Sequence, residues 1–230
     1  MSSKISGRIG VPTLFVFIVL GMLFGSDGVI KIAFDNYEIA EQICSVALIF
    51  IMFYGGFGTR WSEARPVAGK SVLLSSVGVV LTAVLTGLFC YFVLNMDFLE
   101  GMLIGSVLGS TDAASVFSIL RSRKLNLKYG SASMLELESG SNDPFSYMMT
   151  IIVLTAMSGT MGVGQIAGML ASQLLFGLLV GAGVAFAASR FLNRYQFYGE
   201  GFDTIFIFAV AIISYAFSSL IGGNGYLSTY

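Results

Sequence analysis

Apolar runs of helix length recur along the whole chain and constrain its fold more than any other feature. A helix needs about 20 apolar residues to cross a bilayer, and seven segments approach that length. They cover approximately residues 11–26, 42–58, 71–95, 101–120, 131–157, 163–189 and 202–222. Charged residues make up only 11% of the chain, against about 25% in a typical soluble domain. The pattern predicts an all-α polytopic membrane protein with about seven transmembrane helices, forming one domain over residues 1–230.

The segments between the apolar runs alternate in charge. Of the 12 lysine and arginine residues, all but Lys31 lie in segments 1–10, 59–70, 121–130 and 190–201. Basic loops stay on the cytoplasmic side of a membrane. We therefore expect a multi-pass protein of the cytoplasmic membrane whose N-terminus is in the cytoplasm.

The residue types that are missing or isolated also limit the chemistry. The chain has no histidine, so histidine-ligated metals and histidine proton relays are excluded, and carboxylates remain as proton carriers near neutral pH. Cys44 and Cys90 lie inside apolar runs, where cysteine behaves as a small apolar residue. We expect neither a disulfide nor a bound cofactor.

The fourth predicted span contains polar and flexible residues where a membrane helix should be apolar. The sequence Gly109-Ser110-Thr111-Asp112 occupies its middle. Glycine weakens a helix, while serine, threonine and aspartate offer the backbone alternative hydrogen bonds. A packing interface rich in small residues is the simpler explanation, but a carboxylate at this depth costs about 2.5–3.5 kcal/mol. We therefore predict an unwound helix near residues 109–112, a feature that transporters use to bind ions.

The fifth predicted span carries three further carboxylates within an apolar helix. Helical spacing places Glu138 and Asn142 on one ridge and Ser139 and Asp143 on the adjacent ridge. Pro144 follows directly and removes one backbone hydrogen bond, which predicts a kink and a free carbonyl close to Asp143. Glu136 lies off these ridges, and either a peripheral or a functional role is open for it.

Two sequence motifs on consecutive spans, Gly109-Ser110-Thr111-Asp112-Ala113-Ala114 and Glu136-Leu137-Glu138-Ser139-Gly140-Ser141-Asn142-Asp143-Pro144, support a family assignment. In these two motifs the chain resembles monovalent cation/proton antiporters of the NhaP-like type, nearest their potassium/proton branch. The resemblance implies a transporter, not an enzyme, with an inverted-repeat fold that is a homodimer in its full-length form. We expect this chain to correspond to the N-terminal part of such a fold, roughly one repeat and the start of the next.

The resemblance also implies roles for individual residues. Asp143 would alternately bind a proton and a monovalent cation, K⁺ or Na⁺, while Thr111, Asp112 and Ser139 help to form the site. Asn142 marks the electroneutral class. Glu138 would be structural, paired with an arginine on a later helix, and Pro144 would also be structural.

Physical reasoning about the carboxylate leads to the same function. Burial disfavours its charged form, whereas a cation bound by Asp143, Ser139 and Thr111 favours it. Proton and cation therefore compete, which predicts one-for-one antiport. The expected partners are these ions and the lipid bilayer, and no nucleic acid.

Two other functions stay open at this point. The chain could be a transport-incompetent fragment or a regulatory partner of a full-length antiporter. More remotely, Asp112 and Asp143 on neighbouring helices could form the aspartate pair of an intramembrane aspartyl protease. The contexts Ser-Thr-Asp and Ser-Asn-Asp differ from the Gly-x-Gly-Asp sequence that such a protease would want.

Overall fold

Helices form every regular element in the part of the chain that the structure, a computed structural model, describes: residues 13–112, 116, 120, 127–159, 162–194 and 202–230. They are α1 (Thr13–Phe24), α2 (Tyr37–Phe57), α3 (Trp61–Ala64), α4 (Ala68–Leu94), α5 (Phe98–Leu108), a 3₁₀ turn (Lys128–Gly130), α6 (Ser131–Ser158), α7 (Val163–Arg194), α8 (Phe202–Leu220) and α9 (Gly225–Thr229). The predicted all-α class is confirmed, and each of the seven predicted spans overlaps one of these helices.

The helices differ in how well they are suited to cross a bilayer. Within the described ranges, three are long and apolar enough to do so: Tyr37–Phe57, Ala68–Leu94 and Gly164–Arg194. Three more apolar helices are shorter, namely Phe15–Phe24, Phe98–Leu108 and Thr204–Leu220. Helix α6 has 28 residues but is too polar to be one of the three, because it carries the acidic and serine-rich stretch near Asp143.

The chain divides into two compact units, Met1–Val46 and Ala47–Tyr230, and the single domain expected for residues 1–230 stays a prediction. Within the second unit, α4, α5 and α6 pack on one another, as do α7, α8 and α9. A small apolar core joins Ile49 and Met52 to Ala211 and Tyr226. Within this packed trio, α6 contains the second motif, and the first motif begins directly after the end of α5.

Two helices extend five residues beyond their predicted ends. Helix α2 starts at Tyr37, five residues before the predicted start at 42, because the Asn36 side chain accepts a hydrogen bond from the Ile39 amide (3.1 Å) and caps the helix. Glu38, expected in a loop, therefore lies in the first turn, where the helix dipole favours an acid. Helix α7 continues to Arg194, so Arg190 and Arg194 belong to its last turns instead of the following loop.

Candidate functional site

The site begins where α5 stops in the middle of the fourth predicted span. The last helical bond runs from the Gly109 amide to the Gly105 carbonyl (2.9 Å), and residues 110–112 have no helical assignment. An amide-to-carbonyl bond from Val116 to Asp112 (3.1 Å) follows this segment. The break predicted near residues 109–112 is therefore confirmed. Residues 113–115 and 117–119 of the predicted span lie outside the described residues.

Asp143 faces this break from the middle of α6. Its Oδ1 atom accepts a hydrogen bond from the Ser110 hydroxyl. The carboxylate is half-buried and opens onto a cavity of about 320 Å³. The cavity is lined by Leu48, Ile51, Val107, Ser110, Thr111, Asp112 and Asp143. The two aspartates of the two motifs therefore share one cavity, together with two hydroxyl groups of the broken segment.

A second set of hydrogen bonds joins Thr111 to the adjacent ridge of α6. The Thr111 hydroxyl donates to Ser139 Oγ (3.1 Å) and accepts from Asn142 Nδ2 (2.6 Å). Asn142 is almost fully buried, at 1% exposure, and among the described residues its Oδ1 atom has no hydrogen-bond partner. The broken segment is thus held to α6 at two points, through Ser110 to Asp143 and through Thr111 to Ser139 and Asn142.

Glu138 lines a different cavity from Asp143. Its carboxylate accepts from Asn142 Nδ2 (3.2 Å) and from the Ser139 hydroxyl (3.4 Å). It lines a second cavity of about 330 Å³, which Thr111 also lines. The predicted pairing of Glu138 with an arginine stays a prediction. Glu136 is half-buried and two residues away, so the helix turns it off the Glu138 ridge, as predicted.

Two of the three predicted cation ligands line the same cavity. Thr111 and Asp143 line the same cavity, whereas the described lining does not include Ser139, which is buried at 1% exposure behind Thr111. Across the described residues, no group of three or more histidine, cysteine or acidic side chains could hold a metal ion. Hydroxyl and carboxylate oxygens instead suit a hard cation.

Pro144 lies inside an uninterrupted α6 helix. Helical backbone angles continue through it, so the proline does not split the helix in two. Its carbonyl accepts a hydrogen bond from the Asn224 side chain (3.3 Å). The structural role assigned to Pro144 from the sequence stays a prediction.

Sequence reasoning missed two residues near Asp143. Ser110 adjoins Thr111 and was considered only as a helix-weakening residue, although its position inside the break was a usable signal. Asn224 lies in the glycine-rich turn before α9 and reaches Pro144 across 80 positions of sequence. No local pattern indicates that contact, because it depends on how α9 packs against α6.

Comparisons with known proteins agree with the sequence motifs and the fold. The family model described as sodium/hydrogen exchanger, transmembrane, matches residues 1–230. The chain is 37% identical over 236 residues to the K(+)/H(+) antiporter NhaP of Alkalimonas amylolytica, covering 100% of the chain and 40% of that protein. It is 34% identical over 231 residues to the K(+)/H(+) antiporter NhaP2 of Shewanella sp. strain ANA-3, covering 99% and 40%.

A solved structure supports the fold. The sodium proton antiporter MjNhaP1 from Methanocaldococcus jannaschii superimposes with a TM-score of 0.79 at 23% identity, covering 99% of this chain and 56% of that one. The chain spans about 40% of the length of the curated relatives quoted above. The family match covers both motifs and the full length of the sequence. The chain therefore belongs to the sodium/hydrogen exchanger family.

Proposed function

We propose that this protein exchanges a monovalent cation for protons across the cytoplasmic membrane by competition at Asp143. One observation carries the proposal: the Asp143 carboxylate, in the middle of α6, opens onto a cavity that it shares with Asp112 and Thr111 of the broken segment. Transporters place ion sites at such breaks, where half-helix ends and released backbone groups meet. The antiporter names of the relatives support the same class of function.

The proposed mechanism follows from the chemistry of one carboxylate. A protonated Asp143 is neutral, whereas the ionised form attracts a cation that oxygen atoms of Thr111 and Asp112 help to coordinate. Ser110 donates to the Asp143 carboxylate and so stabilises its ionised form while the cation is absent. Since either a proton or a cation occupies the site, moving the occupied site between the two sides of the membrane exchanges one for the other.

Ion identity and stoichiometry are further parts of the proposal. Potassium is favoured over sodium, because the relatives with the name K(+)/H(+) antiporter are 34% and 37% identical. The probable Na(+)/H(+) antiporter 2 of Methanocaldococcus jannaschii is 26% identical over 159 residues. Asn142 is neutral and occupies the position next to Asp143, so we propose that one proton is exchanged for one cation without net charge movement. We also propose a homodimer with a cytoplasmic N-terminus.

The proposal predicts cation-coupled proton movement in proteoliposomes that contain the full-length protein. An outward K⁺ gradient should drive proton uptake into the lumen, and clamping the membrane potential at zero should leave the rate unchanged because exchange is electroneutral. A pH-sensitive dye in the lumen measures the rate, with Na⁺ and choline gradients in parallel. Proton uptake equal to that of protein-free vesicles under every gradient would contradict the proposal.

Thr111 offers a test of how the broken segment contributes. Replacing Thr111 by valine keeps the shape of the side chain but removes its hydrogen bonds to Ser139 and Asn142. Because each of the two bonds is worth about 1 kcal/mol, we expect the KM for the cation to rise about thirtyfold. Thr111→Ser retains the hydroxyl and should stay close to the wild type. Equal KM values for the two variants would argue against this role.

The fragment hypothesis can be separated from the main proposal with a chimera. The 230 residues are assayed alone and in place of the matching segment of the Alkalimonas amylolytica protein. Exchange by the chimera but not by the chain alone supports the fragment hypothesis. The aspartyl protease has weaker support: Asp112 and Asp143 do share a cavity, but the relatives described above are named as antiporters.

A further inference from the structure

One stripe of α6, formed by Pro144 and Tyr147, is the surface on which the α9 segment docks. These residues are three apart and therefore lie on the same side of the helix. Asn224 Nδ2 donates to the Pro144 carbonyl (3.3 Å). The ring of Tyr226 packs edge-on against that of Tyr147, with centroids 5.0 Å apart. The contact thus joins α9, which packs with α7 and α8, to the helix that carries Asp143.

Asn224 makes the hydrogen bonds that join α9 to the neighbouring helices. It is 2% exposed, and its side chain and its backbone amide bind different elements. Its Oδ1 accepts from the Leu227 amide (3.0 Å) and caps α9, and its own amide donates to the Gln173 carbonyl of α7 (3.0 Å). The remaining donor, Nδ2, reaches Pro144 on α6. One buried residue therefore links the start of α9 to two other helices, to α6 through its side chain and to α7 through its backbone amide.

The turn before α9 is enclosed so closely that Asn224 has little freedom to move. A Cβ atom added at Gly223 would lie 2.6 Å from Ser218 Oγ and 2.9 Å from the Gly177 amide nitrogen. Only glycine fits so close an approach. Because neighbouring helices fix the turn, the bond to Pro144 transmits that fixed position to α6.

The carbonyl that accepts the Asn224 hydrogen bond belongs to Pro144, the residue next to Asp143. The Asp143 carboxylate accepts a hydrogen bond from Ser110 in the broken segment. The backbone of the next residue, Pro144, accepts a hydrogen bond from Asn224. A hydrogen bond at one residue restrains the backbone of its neighbour, so the placement of Asp143 relative to Ser110 and Thr111 depends on both contacts. Charge-stabilising groups lose effect when they are displaced by even about 1 Å.

We propose that Asn224 is a positioning residue for ion exchange, holding Asp143 in the geometry that binds the cation. It touches neither the proton nor the cation and acts through the Pro144 carbonyl. The inference rests on the proposed function, because it requires Asp143 to be the exchanging group.

Asn224→Ser tests the inference, because serine still caps a helix but is too short to reach Pro144. We expect the KM for the cation to rise about fivefold, the effect of one lost hydrogen bond, with Vmax per folded protein nearly unchanged. A purely structural role would reduce the amount of active protein and lower Vmax at constant KM. Since KM does not depend on that amount, the measurement holds even if the variant accumulates poorly.

Two further variants complete the experiment. Tyr226→Leu weakens the docking on the same stripe but leaves the α9 cap intact, and its KM should rise in the same direction. Asn36→Ala removes the exposed cap of α2 and should keep the wild-type KM. A wild-type KM in Asn224→Ser would overturn the positioning role. Asp143→Asn, measured in parallel, separates the two proposals: retained exchange there refutes the proposed function itself, whatever Asn224→Ser does.

Discussion

Replacing Asp143 by asparagine is expected to abolish cation/proton exchange without unfolding the protein. Asparagine has nearly the same shape, and its carbonyl oxygen can still accept the hydrogen bond that Ser110 donates. It cannot release a proton or supply the negative charge that attracts a cation, so both halves of the exchange are lost. Proton uptake driven by a K⁺ gradient should fall to the level of protein-free vesicles, while size-exclusion profiles and thermal unfolding in detergent match the wild type.

Two matched variants make this result specific. Asp143→Glu keeps the carboxylate and should retain measurable exchange with a changed KM, because its longer side chain displaces the charge from Ser110. Asp97 is exposed and caps α5 by accepting from the Leu99 amide (2.8 Å). Asp97→Asn preserves that cap and should exchange at the wild-type rate. Cation-dependent proton movement in Asp143→Asn would exclude Asp143 as the exchanging group.

The parts of the site that could be predicted are those that local spacing determines. Glu138 and Asn142 are four positions apart, about one helical turn, and the structure joins them by a hydrogen bond of 3.2 Å. Likewise, the run of helix-weakening residues at 109–112 coincides with the end of α5. Both features depend on helix geometry and on backbone propensity, which a short stretch of sequence already contains.

The parts that could not be predicted depend on packing between distant segments. Ser139, expected beside Asp143 as a cation ligand, is buried behind Thr111, since the threonine hydroxyl binds it from the broken segment. The contact of Asn224 with Pro144 arises only when α9 docks on α6. Helical spacing fixes the face on which a side chain lies, but not which neighbour covers that face. The early start of α2 is different, because the capping residue Asn36 was visible in the sequence.

Gly105→Ala is expected to destabilise the protein and to impair exchange together. Gly105 lies where α5 crosses α4, and a Cβ atom added there would lie 2.7 Å from the Ala83 Cα atom and 2.8 Å from its carbonyl oxygen. Backbone atoms cannot move aside as a flexible side chain can, so α5 itself must shift. Overpacking of this kind costs about 1–3 kcal/mol, which should appear as a lower midpoint of thermal unfolding in detergent.

The shift of α5 also explains why Gly105→Ala should impair exchange at Asp143. Ser110 and Thr111 follow directly from the end of α5, so displacing the helix moves both hydroxyl groups away from Asp143 and Ser139. Gly183→Ala is the matched control, because among the described residues an added Cβ there has no neighbour within 4 Å. Alanine in an exposed helix stabilises by about 0.5–1 kcal/mol relative to glycine, so that variant should unfold no earlier than the wild type and exchange normally. If Gly105→Ala unfolded and exchanged like Gly183→Ala, the close crossing of α4 and α5 would not be what positions the broken segment.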